Sequence, residues 1–398
     1  MPVRATKRGA QRTPLERDCD VLVCGASFAG LTVARELAGS GAEVLIVDRY
    51  EVGERQTSAC GAPTSWLEAL DLHGSVRQTF DTLVTHTPRR RYDFTLPWSF
   101  STFDYRELCA LLCEQGDAEL ETAMVRSISR GAARAGAHVV HTDRGDIRSP
   151  LVVDALGWKR VLSNGEHATP PHGGVDSHGR RRRRARLSRG LEVHPPGSGQ
   201  ELEIWIDPGY VRAGYGWSFP AGDELRVGVG SFEPRDHVKA PTLRLAGDLG
   251  LAAAGYQGNW IPHRLRPAVE DGVFFVGDSA GHCLPLTAEG IRPALYFGLA
   301  CGRELRAVVD GRMHGATALD RYGAFSDQHA SAYRWLLNTQ HAVGRLGGRH
   351  ALDALLGAMD GPARTHWAFN RYLSIAPPSF VQETGLSFAS RPRTAGAA

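Results

Sequence analysis

Residues 20–49 read DVLVCGASFAGLTVARELAGSGAEVLIVDR. The apolar runs at 21–24 and 44–47 have the length and branched side chains of buried strands. Between them apolar residues recur at helical spacing, so the stretch predicts strand, helix, strand: a βαβ unit of an α/β fold. Gly25, Ser27 and Gly30 occupy the small-residue positions of a G-x-G-x-x-G turn. Small residues there permit the tight turn, let backbone approach a pyrophosphate, and let the helix lie close on the strand. Phe28 and Ala29 open the helix, whose free N–H groups and partial positive charge suit a diphosphate. Ser27 departs from the usual second glycine and puts a side chain where backbone and phosphate nearly touch. Asp48, about twenty residues downstream, is placed to accept from ribose hydroxyls and to repel a 2′-phosphate; Arg49 follows it. The expected ligand is a dinucleotide.

A second segment separates FAD from NAD: VFFVGDSAGHCLPLTAEGIRPALYFGLACGREL, residues 273–305. An apolar strand delivers Gly277 and Asp278. A loop through Pro285 and Gly290 then enters a helix at Ile291, with Pro293 in the first turn, where its missing N–H is no loss. Asp278 is expected at the ribityl and diphosphate end of FAD. The helix terminus would face flavin N1 and C2=O, where negative charge collects on reduction. No second G-x-G-x-x-G follows an apolar strand, so a dedicated nicotinamide domain is not expected.

The third signal is GYGWSFPAGDELRVGVG, residues 214–230. Tyr215, Trp217 and Phe219 alternate, so on a strand they share one face. Pro220 is expected to end that strand and AGDE to reverse the chain, while Gly228 and Gly230 leave room beside the opposing backbone. On periodicity alone the face serves a sandwich core as well as a ligand wall.

Taken together, the fingerprint, the GDSAG…P…GI segment and the aromatic hairpin resemble the geranylgeranyl reductase family of FAD-dependent oxidoreductases, within the flavoprotein group that includes aromatic hydroxylases. The hairpin carries most of this likeness: Tyr215-x-Trp217-x-Phe219-Pro220, seven residues, then Gly228-x-Gly230. Cys60-Gly61 and FDYRELCALL, with Arg106 at the start of a helix, fit the same pattern. The resemblance implies a glutathione-reductase-type, Rossmann-like FAD domain interleaved with an antiparallel or mixed β-sheet substrate domain. It implies FAD as cofactor, with Arg106 and Val125 added to its binding set. The aromatic ribbon and its glycines would line an isoprenoid site. The stretch VVDALGWKR has Leu156 where the hydroxylase branch carries an Asp before its glycine, which weakens an NADPH-dependent hydroxylase reading.

The activity implied by the resemblance is reduction of carbon–carbon double bonds in a prenyl chain; a flavin monooxygenase acting on a hydrophobic or aromatic molecule is the alternative. An isolated alkene resists hydride unless a proton arrives at its other carbon, so an acid is needed beside the flavin. The candidates are Cys60, His282, Cys283 and Glu289. Cys60 serves equally well as a small buried residue in a tight turn, and a histidine at 282 suits backbone anchoring as well as proton donation.

Composition sets the rest. The 398 residues are 42% apolar and 22% charged with a formal net charge of +3, an ordinary globular balance. No apolar run approaches the ~18 residues of a membrane span, and no apolar leader of signal-peptide type precedes the first strand. Basic residues concentrate at 1–12 and 180–189 without interleaved aromatics, so nucleic acid is not an expected partner. Seven cysteines without regular spacing point to a reducing, cytoplasmic setting, and Cys109 and Cys113 to packing rather than metal. The expected division is an FAD domain of residues 18–70, 103–160 and 265–310, a substrate domain of 71–102 and 161–264, and a helical cap of 311–398. Electrons would come from a diffusible donor: NAD(P)H, ferredoxin or reduced flavin. Peripheral membrane contact is compatible with such a substrate.

Overall fold

The computed structural model describes residues 13–56, 58–131, 137–164, 187–253, 255–345 and 349–383. The basic segments 1–12 and 180–186 lie outside the described residues.

The fingerprint strand Val21–Cys24 lies inside a six-stranded sheet, ordered Val269–Glu270, Val273–Phe275, Leu151–Asp154, Val21–Cys24, Val44–Asp48, Glu119–Thr122. All neighbours are parallel except the first pair. All four residues of Val21–Cys24 are buried, as a strand covered on both faces requires. A mixed eight-stranded sheet runs Tyr256–Pro262, Leu187–Val193, Glu224–Ser231, Gly214–Ala221, Leu202–Trp205, Val76–His86, Arg91–Phe103, Gly61–Pro63. Its one parallel pair joins Leu202–Trp205 to Val76–His86. Residues Arg17–Asp18, Asp146–Ser149, His138–Thr142 and Val125–Ser129 form a separate four-stranded sheet.

Nine α-helices lie among the described residues: α1 (Phe28–Glu36), α2 (Thr64–Ala69), α3 (Tyr105–Glu114), α4 (Lys239–Asp248), α5 (Ile291–Val309), α6 (Gly315–Gln328), α7 (Ala330–Arg345), α8 (Arg349–Met359) and α9 (Pro362–Leu373). The main core joins the six-stranded sheet to α1, α3 and α5. The α1–α5 contact is backbone-close: a Cβ at Gly298 would stand 2.9 Å from Thr32 Cβ, and one at Gly302 2.6 Å from Glu36 Cβ. This pairing fixes the start of α1 relative to the start of α5. One face of the eight-stranded sheet packs on α4 through Val193, Val227, Val229 and Leu245. Elsewhere Tyr92 and Phe94 pack beneath α8 and α9 with Leu356, Met359 and Phe369. Gly61–Pro63, grouped with the FAD domain on sequence, pairs instead with Arg91–Phe103 at the edge of the eight-stranded sheet.

Candidate active site

At the start of α1 the backbone leaves no alternative to glycine. Gly25 has φ +116°, and a Cβ there would stand 2.4 Å from the Ala155 carbonyl oxygen; a Cβ at Gly30 would stand 1.9 Å from the Gly25 oxygen. Ser27 is the N-cap of α1, yet its side chain caps nothing, and the first turn holds no acidic residue. Its hydroxyl instead accepts from Tyr105 OH at 3.1 Å, so the first-turn N–H groups of α1 have no competing side-chain anion. Phe28 packs edge-on against Phe103 and Tyr105, and Ala29 is buried. Asp48 accepts from Ala26 N–H at 2.8 Å and from Tyr50 N–H at 3.0 Å, which ties the end of its strand to the turn. Arg49 is exposed, 4.7 Å from the Tyr50 ring centroid. Arg106 is exposed near the start of α3, its backbone against Gly53. Val125 is buried, two residues beyond Ala123, whose N–H donates to the Asp48 carbonyl at 2.8 Å.

At the other end Gly277 and Asp278 begin a 3₁₀ turn. A Cβ at Gly290 would lie 3.7 Å from Asp278 Oδ1 and 3.6 Å from Cys283 Sγ, so the three residues converge where α5 begins. The Asp278 carboxyl is half-buried and has no side-chain hydrogen bond among the described residues. Burial pushes its pKa up to about 6, against the pull of nearby Arg266. A glycine cradle, an uncapped helix start and an unpartnered carboxyl form a donor and acceptor set that fits a dinucleotide flavin along its length. Because the folded form of Asp278 holds its proton more tightly than the unfolded form, FAD-free protein loses stability as pH rises from about 4 through about 6. Asp278→Asn should abolish that loss, worth up to about 3 kcal/mol. Urea titrations of both proteins at pH 4 to 7 check it; parallel profiles would refute the assignment.

The expected acids do not behave alike. His282 is fully buried, stacked on Phe297 at 3.7 Å; Nδ1 accepts from Gly277 N–H at 3.2 Å and Nε2 meets Ser326 Oγ at 3.2 Å. Burial holds its pKa well below the usual histidine range, so the ring is neutral with both nitrogens engaged. The proton-donor role expected of it does not fit these contacts, which make it a strut for the Gly277 turn. Cys60 is also fully buried, at φ 52°, its thiol donating to the Ser58 carbonyl at 3.2 Å. Its own carbonyl accepts from Phe103 N–H and from buried Arg226. Desolvation pushes this thiol far up, which suits the structural reading. Cys283 is likewise kept protonated, by burial and by the charges of Asp278 and Glu289. Glu289 is paired with Arg292 in a two-pronged contact, with Nε–Oε1 2.7 Å and Nη2–Oε2 2.8 Å.

The hairpin keeps its expected alternation: Tyr215, Trp217 and Phe219 are half-buried on one face, and Gly216 and Ser218 between them are buried. Tyr215 lies opposite Gly230 and Trp217 opposite Gly228. A Cβ at Gly228 would stand 2.2 Å from Trp217 Cζ2, so the indole itself fills the space expected to be left beside that backbone. Its N–H donates to Glu192 at 3.3 Å. Pro220 does not end the ladder. Pairing continues to Ala221 and Glu224, and the Pro220 carbonyl accepts from Thr102 Oγ1 at 2.6 Å. Phe219 meets Phe100 at 6.4 Å, and Tyr215 OH donates to the Thr287 carbonyl. The aromatic face and the Pro285–Gly290 loop are thus joined directly.

Sequence reasoning did not name the residues that close this loop from the C-terminal side. Tyr372 OH on α9 donates to Glu289 and lies 2.6 Å from Thr287 Oγ1. Arg292, fully buried, donates to the Leu373 and Ala376 carbonyls at 3.1 Å, and Trp66 Nε1 donates to Ala376 at 3.0 Å. The i,i+3 spacing of Glu289 and Arg292 was a readable signal; Tyr372 carried none.

The family described as FAD binding domain matches residues 18–122. The digeranylgeranylglycerophospholipid reductase 3 of Methanosphaera stadtmanae is 24% identical over 351 residues, covering 79% of this chain and 83% of that protein. The menaquinone reductase of Mycolicibacterium smegmatis is 24% identical over 354 residues, covering 82% and 81%. Among solved structures, a geranylgeranyl bacteriochlorophyll reductase-like protein from Thermoplasma acidophilum superposes with a TM-score of 0.76 at 16% identity, over 92% of this chain and 98% of that one. The chain thus carries an FAD binding domain over residues 18–122 and is similar along most of its length to proteins named as prenyl-lipid and menaquinone reductases.

Proposed function

We propose that the protein reduces carbon–carbon double bonds of a prenyl chain held between the Tyr215–Phe219 face and the Pro285–Gly290 loop. The observation that carries this reading is the Tyr215–Thr287 hydrogen bond, which sets an aromatic wall against the loop that enters α5. Bound FAD, once reduced by an external electron donor, would supply the hydride. Gly25, Ser27, Phe28, Ala29, Gly30, Asp48 and Arg49 would hold its nucleotide end, with Arg106 and Val125 beside them. Gly277, Asp278, Pro285, Gly290 and Ile291 would hold the flavin end, in a fold of glutathione-reductase type. Residues 18–70, 103–160 and 265–310 make the FAD unit in this reading, and 71–102 with 161–264 the substrate unit, except that 61–63 extend the latter's sheet.

A prenyl chain offers almost nothing to hydrogen-bond, so the protein must hold it by area, at ~0.8 kcal/mol per buried CH₂. Tyr215, Trp217, Phe219 and Pro220 provide that area, and Gly228 and Gly230 let the indole lie flat. Of the acids named on sequence, Cys283 fits the proton-donor role best. Its Sγ lies with Asp278 at the start of α5, whereas Cys60 and His282 are engaged by backbone and core. A diffusible donor would supply the electrons, and the substrate would be taken up by peripheral contact with a membrane.

Anaerobic enzyme reduced with dithionite should convert a prenyl lipid to a product heavier by two hydrogens per double bond reduced, read by mass spectrometry. Product formed only when oxygen is admitted would replace this reading with a monooxygenase. Trp217→Ala should raise KM for the prenyl substrate by roughly tenfold or more while changing kcat less, because the lost contact is uniform binding. An unchanged KM would take the hairpin out of the substrate site.

A further inference from the structure

A prenyl lipid resides in a bilayer, whereas no helix among the described residues is long and apolar enough to cross one. On the reading above, the substrate must therefore pass from a lipid surface into the protein through some part of the exterior. That part should combine an aromatic anchor with cations and continue inward to the site.

α9 has this construction. Among the described residues the exposed tryptophans are Trp335 on α7 and Trp367 on α9, and Trp367 is 71% exposed. Arg364 lies one turn before Trp367 and Arg371 one turn after, at i−3 and i+4, and both are exposed. Residue 370 between them is an uncharged asparagine. The inner side of the same helix reaches the site: Phe369 meets Trp98 edge-on at 6.0 Å, and Tyr372 binds the Pro285–Gly290 loop. The preceding helix α8 exposes Ala354, Leu355 and Ala358, with no charge among them. Charge supports the same occupant. Over residues 330–373 five arginines stand against Asp353 and Asp360, with no glutamate or lysine.

We infer that the outer face of α9, centred on Trp367 and flanked by Arg364 and Arg371, is the docking surface for an anionic lipid bilayer, and that prenyl substrate enters beside this helix. The indole would sit at headgroup level and the two guanidinium groups would pair with lipid phosphates. A second copy of the chain fits less well, since the same arginines would then face one another.

The test is flotation of the FAD-loaded full chain with vesicles of phosphatidylglycerol and phosphatidylcholine, and with phosphatidylcholine alone. Binding should require the anionic lipid. Trp367→Ala should weaken it about tenfold, and Arg364→Gln with Arg371→Gln roughly 20- to 30-fold, with a flatter dependence on salt. Equal binding to neutral vesicles, retention by either variant, or self-association lost on Trp367→Ala without vesicle binding would overturn the proposal. A short-chain prenyl substrate dispersed in water separates the two ideas. Turnover of it without vesicle binding removes the surface and keeps the reductase; vesicle binding without turnover does the reverse.

Discussion

Gly30→Val should yield a folded protein that purifies colourless. The valine Cβ would fall 1.9 Å from the Gly25 carbonyl oxygen, and Gly25 is itself pinned, because any side chain there strikes the Ala155 carbonyl. Neither atom can yield cheaply. The Ala155 N–H already donates to Cys24 at 2.8 Å, and the Gly25 N–H to Val47 at 2.8 Å, so both strand ends are locked into the sheet. The start of α1 must therefore swing away from the strand, taking the bare helix terminus at that end of the site with it. Overpacking of this kind costs about 1–3 kcal/mol of stability, which a domain of this size can survive. Cofactor binding cannot, because it needs the N–H groups and the turn in one place. The ratio of flavin to protein absorbance and a fluorescence titration with FAD should show a loss of affinity of at least about a thousandfold, or ~4 kcal/mol. Gly247→Ala is the matching control. It lies within α4 with nothing within 4 Å of its added Cβ, and should leave colour unchanged while gaining up to about 1 kcal/mol. A yellow Gly30→Val protein with normal affinity would refute the placement of the dinucleotide on α1.

The contrast between these two glycines marks what a sequence can disclose. The βαβ unit is legible because its three elements are consecutive and each carries its own period. The aromatic hairpin is legible for the same reason, a tight turn between two alternating strands. Pairings between distant segments are not. Nothing local says that Leu202–Trp205 lies parallel to Val76–His86, or that Arg17–Asp18 closes a sheet with Asp146–Ser149. The pairing of Gly61–Pro63 with Arg91–Phe103 is not legible either, because a three-residue edge strand has too little pattern to declare its partner. Burial is the other hidden quantity. Cys60, His282 and Cys283 look alike as donors on paper, and only the packing distinguishes a thiol bonded to Ser58 or an imidazole clamped between Gly277 and Ser326 from a thiol beside Asp278. Gly228 reads as space for a ligand because its neighbour across the ladder, Trp217, cannot be identified without the register.

The C-terminal closure, invisible in the sequence, supports the second large effect. Arg292→Met should destabilise the FAD-loaded protein by about 3–5 kcal/mol, the usual cost of leaving one member of a buried ion pair alone. Three groups lose a partner at once: the Glu289 carboxylate, 12% exposed, and the Leu373 and Ala376 carbonyls at the end of α9. Methionine fills a similar volume, so the loss is electrostatic rather than a cavity. Pairing the change with Glu289→Gln should recover much of it, because the orphaned charge is then gone and the amide can still accept from Tyr372. The coupling between the two substitutions should reach roughly 1–3 kcal/mol in urea denaturation with free FAD held constant, so that cofactor linkage cancels. Loss of the clamp also frees the loop that carries Thr287 and Gly290, so the single variant should bind FAD more weakly than the double. A cost below about 1 kcal/mol, with strictly additive effects, would mean that α9 rests on the loop without holding it. The path from the outer face of that helix to the flavin end of the site would then lose its mechanical link.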